Sequence, residues 1–194
     1  INEIDLSFGS VEADGYKVAG FIVICNAVLE DSDVNLGQTI IEALLKAMGL
    51  ALDKAIIYGT GTKMPMGILT RLVQTEDPKN DKVNVAWKDL HTSNVIPVTG
   101  KTDLALFKAV IEASGHAKGT YSAGGKFWAM NETTYTKLIA NAMSINAAGA
   151  VVSGMNKTMP VIGGPVETME FMPDGVIVGG YGDLYLLTER AGAT

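Results

Sequence analysis

One cysteine, two histidines and a few glycine clusters are the residues of this chain whose types could do chemistry. Cys25 with His91 or His116 has the makings of a thiol nucleophile and its base. Cys25, however, follows the apolar run Phe21-Ile22-Val23-Ile24, where a thiol acts as a small buried hydrophobe. One cysteine and two histidines, far apart in sequence, fall short of a structural zinc set, and a lone cysteine permits no internal disulfide. Gly59-Thr60-Gly61 has the first two glycines of a dinucleotide fingerprint, but Met64 stands where the third is needed. That motif also requires a strand before the glycines and a helix after them, the reverse of the order here. Gly124-Gly125-Lys126 resembles the end of a phosphate loop, yet Thr120 and Phe127 occupy the positions that need Gly and Ser or Thr. Asn131-Glu132-Thr133 and Asn156-Lys157-Thr158 match the glycosylation sequon, which has no meaning without a secretory signal, and none is visible. The nine methionines suit irregular core gaps or subunit contacts better than a cofactor box. No catalytic residue, cofactor site or metal site is therefore expected.

Composition narrows the classes further. With 194 residues, 47% hydrophobic and 19% charged, the chain is globular and can bury one good core or two small ones. Fifteen basic against 21 acidic residues leave a net charge of −6, which disfavours an electrostatic grip on DNA. Specific nucleic-acid contacts are not expected, and no apolar run reaches transmembrane length, so no membrane partner is expected either.

The elements that would position any site are organised around Asn35 to Gly61. Gln38, Glu42, Lys46, Gly49 and Asp53 recur at helical steps and form one narrow polar stripe, while nearly everything else is apolar. This predicts a helix over about residues 35–58, roughly 30–35 Å long at about 1.5 Å per residue, covered on several sides. Glu42 and Lys46 stand in the favourable i,i+4 order. Gly49 is expected at a close backbone approach, because a mid-helix glycine is otherwise a cost. The acidic Leu29-Glu30-Asp31-Ser32-Asp33 supplies caps, and Tyr58-Gly59-Thr60-Gly61 stops the helix with glycines able to take positive φ.

On either side the chain reads as short strands and helices. Ile4, Leu6 and Phe8 alternate, as does the run from Tyr16 to Ile24. Residues 70–103 form a polar stretch, with a solvated loop at Thr75–Lys82 and a short strand at Val83–Trp87. Thr102-Asp103 opens a helix from Leu104 to Ser114 whose face is Leu104, Phe107, Val110 and Ile111. Lys126–Met130 reads as a strand, Asn131 as a cap, and Glu132–Ile139 as a helix. Val166–Met172 and Val176–Gly180 read as a strand and its return across the turn Pro173-Asp174-Gly175.

The order of an acidic LEDS segment, a long buried helix and then GTGTKMPMGIL resembles the major capsid proteins of tailed bacteriophages, the Hong Kong 97-like fold. Trp128-Ala129-Met130-Asn131 followed by a helix, and Gly179-Gly180-Tyr181-Gly182-Asp183 near the end, extend the resemblance along most of the chain. It implies an α+β fold with a spine helix, a peripheral domain over residues 1–88 that includes the end of an extended loop, and an axial domain over residues 89–194. It also implies further chain at both ends: the outgoing strand of the loop before Ile1, and the return of the peripheral domain after Thr194. The function implied is structural and not enzymatic. Copies would form pentamers and hexamers of an icosahedral shell around DNA, within the virion and assembled in the bacterial cytoplasm. The partners implied are other copies and other capsid subunits. Two alternatives stand beside this: a shell subunit of an encapsulin-like protein compartment, and a small enzyme with an interdomain cleft around Asp53, His91 or His116.

Overall fold

A computed structural model describes residues 19–23, 35–76, 88–145 and 156–188. Cys25, the Ile4–Phe8 alternation, the acidic segment at 29–33 and the strand expected at 83–87 lie outside the described residues. The chain divides into two compact units, Ile1–Asp89 with Thr188–Thr194, and Leu90–Leu187.

The first unit is dominated by helix α1, Leu36–Tyr58, whose 23 residues span roughly 34 Å at about 1.5 Å per residue. Its cap is Asn35, whose side chain accepts from the Gln38 amide at 3.4 Å. On the polar stripe, Glu42 accepts from Gln38 Nε2 at 2.8 Å, so the i,i+4 bond is made toward the N-terminal side. Two expectations about this helix fail. Of its residues only Ile57 is buried, while Ile41, Leu45, Met48, Leu50 and Leu52 are exposed. A Cβ on Gly49 would meet nothing within 4 Å, so no backbone approaches there. The apolar periodicity correctly encodes a helix with a wide greasy face, but periodicity carries no information about what covers that face. Gly20 passes beside Leu44, and residues 19–23 carry no ladder, against the strand expected there.

The turn after α1 is built on close approach. Gly67 N donates to Gly59 O at 2.8 Å, and Thr60 pairs with Met66 in an antiparallel bridge. A Cβ on Gly59 would overlap Pro65 O, and one on Gly67 would overlap Gly59 N. Gly61 takes positive φ, at 76°, as does Lys63 at 56°, whereas Gly59 stays at −56°, so Gly59 is required for space and not for handedness. Helix α2, Ile68–Val73, follows and packs on α1, so the first residues of the polar stretch assigned to 70–103 are helical.

The second unit begins with the short helix α3, His91–Asn94, and continues with α4, Asp103–Ser114. Strand β1, Lys126–Met130, and helix α5, Glu132–Ile145, come next. Strands β2, Val166–Thr168, and β3, Val178–Tyr181, then lead to a 3-10 turn at Gly182–Leu184. The sheet order is β2-β1-β3, with Trp128 opposite both Val166 (parallel) and Gly179 (antiparallel). The hairpin expected between the segments at 166–172 and 176–180 is therefore absent: each strand pairs with β1 and not with the other. Val176 N donates to Pro173 O at 3.3 Å, so the turn forms as read, but the strands it joins lie on opposite edges of β1. The core gathers Phe107 and Val110 of α4, Trp128 and Met130 of β1, Tyr135 and Leu138 of α5, with Met159 and Val166. Ile111 packs against this cluster, but Leu104, assigned to the same face, is exposed.

Candidate functional site

The most closely bonded cluster of the second unit lies where β1 begins. Asp183, in the 3-10 turn after β3, accepts from Ser122 Oγ at 2.6 Å, from Ala123 N at 2.8 Å and from Gly124 N at 3.1 Å. A carboxylate is acceptor-only, and three donors aimed at it favour its charged form. The Ser122 hydroxyl, with the Gly124 and Ala123 amides, accordingly holds the Asp183 pKa below the ordinary carboxylate value. Beside it, Lys126 Nζ donates to Ser114 O at 2.9 Å and stands 6.0 Å from the Tyr181 ring centre, the outer reach of a cation–π contact. Gly119 lies under the Tyr181 ring, where a Cβ would crowd it. The result is a loop fastened at both ends, with Tyr121 at its tip almost wholly in solvent.

A second loop reaches the same end of the sheet. Trp128 Nε1 donates to Gly163 O at 3.0 Å, and Gly179 leaves room for the Trp128 ring, which a Cβ there would overlap. Because β1 and β2 are parallel neighbours and β3 is antiparallel to β1, the starts of β1 and β2 and the end of β3 share one edge. At the opposite end, Asn131 caps α5 by accepting from Thr134 N at 2.8 Å. It also donates to Asp174, and Thr134 Oγ1 accepts from Gly175 N, tying the turn at 173–175 to the helix start.

Of the residues weighed for catalysis, Cys25 lies outside the described residues, and the other three stand on separate elements. His91 sits on α3, His116 just past α4, and Asp53 on α1 in the other unit. Among the described residues, no group of three or more His, Cys, Asp and Glu side chains is gathered as metal ligands would be. The Gly59-Thr60-Gly61 stretch serves the turn after α1, and Gly124 serves the Asp183 bonds; neither precedes a helix that could take phosphate. Sequence reading missed an open depression of about 270 Å³ lined by Lys101, Thr102, Leu106, Lys137, Ala140 and Asn141, formed where α4 meets α5. It missed the Asp183 cluster as well, because about sixty residues separate the partners and no local pattern links them. Among the described residues, no helix is long and apolar enough to cross a membrane.

Against this geometry, with no reaction centre assembled among the described residues and rows of exposed apolar side chains, the comparison with known families decides the class. The model of the phage capsid family matches residues 1–194. This chain belongs to the phage capsid family. Proteins of this family are structural, their place is the capsid of the virion, and their partners are other capsid subunits. The α+β composition, helices plus a small three-stranded sheet, is compatible with that membership. No curated protein and no solved structure gives a match.

Proposed function

We propose that this chain is part of the major head subunit of a tailed bacteriophage or prophage, with the Hong Kong 97-like arrangement, assembling as pentamers and hexamers of an icosahedral shell that encloses DNA. In this reading α1 is the spine, the first unit belongs to the peripheral domain, and the second unit is the axial domain. The observation that carries it is the exposed apolar seam of α1 in a member of the phage capsid family. Ile41, Leu45, Met48 and Leu52 follow one another at steps of four, three and four, the spacing of a single helix face, and all four are exposed. Apolar area is worth about 25 cal/mol per Å² when removed from water, so a seam of four large side chains is a strong incentive for cover. A neighbouring subunit's extended loop is the occupant the fold resemblance supplies. Affinity then comes from many moderate contacts that add when the shell closes.

The mechanism is geometric. A helix of 23 residues fixes the span of the subunit, and loops at the sheet end of the second unit are available to neighbours. No step of the proposed function needs a reacting group. Electron microscopy of the gene product that contains this chain tests it: uniform closed shells support the reading, and a discrete small oligomer or a soluble monomer under assembly conditions overturns it.

A further inference from the structure

The turn between Asn156 and Pro165 is fastened more firmly than its length requires. Thr158 pairs with Pro165, Val166 N donates to Lys157 O at 2.7 Å, and Met159 N donates to Gly164 O at 2.9 Å. Met159 is fully buried, and Ile162 packs against the same core. Between these two anchors the chain swings outward through Pro160 and Val161. Gly163 and Gly164 take φ of 78° and 93° there, which glycine does freely. Val161 takes φ 65°, and a β-branched residue in that region is a genuine outlier. Its side chain is 80% exposed, so within the subunit it gains little burial in return. Asparagine or glycine would suit this backbone better, and strain of this kind persists where a surrounding structure imposes it and a contact uses it.

The neighbouring loop has a similar character. Asp183 fixes Ser122, Ala123 and Gly124, so Tyr121, 91% exposed, is displayed on a loop already ordered. Both loops run into adjacent parallel strands and so meet at one end of the sheet, where Leu184 is also exposed. Ordering these side chains before contact lowers the entropy cost of binding, and tyrosine on a preset loop is a common anchor.

We infer that the Val161 turn and the Tyr121 loop together form a contact surface for a second copy of this chain. The identity of the partner rests on the shell reading above; the surface itself rests on the strain, the exposure and the fastening. The test pairs thermal melting with sedimentation velocity over a concentration series for the wild type, V161N, V161I and Y121A. V161N relieves the backbone and raises Tm by about 2–4 °C, yet it weakens self-association by about tenfold. V161I keeps the apolar contact and associates as the wild type does, and Y121A weakens association without raising Tm. Opposite signs in stability and association are what a merely structural turn cannot give. Wild-type association unchanged in V161N and Y121A overturns the inference, including the case where both variants still close into shells, which leaves the shell reading intact. A wild-type dimer or other small closed oligomer that V161N dissociates supports this surface while overturning the shell reading. A wild type that stays monomeric throughout overturns the surface.

Discussion

Replacing Asn131 tests how the second unit is held together, because one side chain there does two jobs. Its Oδ1 accepts from Thr134 N at 2.8 Å as the cap of α5, and its Nδ2 donates to Asp174. Asn131 and Thr134 are both buried, at 8% and 6% exposure, so the freed amide of N131A has poor access to water. Capping losses run from about 0.5 to 2 kcal/mol, and an unsatisfied buried donor costs about 1–3 kcal/mol. Both figures describe the same lost bond and are not summed. Burial places the loss near about 2 kcal/mol, or about 4–8 °C in Tm for a chain of this size. Asp174 is exposed and rehydrates when its partner is removed, so it adds little. N131S keeps a capping oxygen and falls between the wild type and N131A. N131D also caps, but it sets a second carboxylate against Asp174. That pair holds a proton more tightly folded than unfolded, so N131D is less stable than the wild type at pH 7 and recovers as pH falls through the carboxylate range near 4. Urea unfolding at several pH values, with hydrogen exchange at the Thr134 amide, measures all of this. An N131A loss below about 0.5 kcal/mol, the level of an ordinary surface change, or an N131D deficit independent of pH, would refute the reasoning.

Other outcomes follow from single positions. G49A should stabilise the chain by about 0.5–1 kcal/mol, since open space surrounds that site and alanine is the better helix former. G67A should be strongly destabilising in the same melts, because its Cβ would overlap Gly59 N. The Asp183 bonds have a defined pH window: its folded pKa lies below the unfolded value, so their contribution is complete above about 3.9 and is lost as pH falls through the lower folded value. Protection of the Ala123 and Gly124 amides, measured against their intrinsic exchange rates at each pH, should therefore fall only in that acid range, and protection lost near neutrality would exclude the cause given. L45Q should leave the subunit's Tm nearly unchanged, since Leu45 is 62% exposed, while reducing assembled particles seen by electron microscopy. Equal assembly would remove the α1 seam from the shell contacts.

What the sequence determined by itself is local: period, caps and steric freedom. The stripe from Gln38 to Asp53 encodes α1, Thr102-Asp103 marks the start of α4, and Asn131 caps α5, because each signal lies within a turn or two of what it specifies. Only the tertiary structure decided what meets what. The strands on either side of Pro173-Asp174-Gly175 look like a hairpin, yet both are claimed by β1, since pairing is settled by which edges are free and which faces the Trp128 core can bury. Gly49 looked like a contact and is not one, while Gly67 is, because a glycine's reason is the atom opposite it. Asp183 found its donors about sixty residues back, and Val161 took a backbone angle that its own preferences oppose. Those placements arise from long-range closure of the chain, whose energy is shared over many residues and leaves no mark in a short window of sequence.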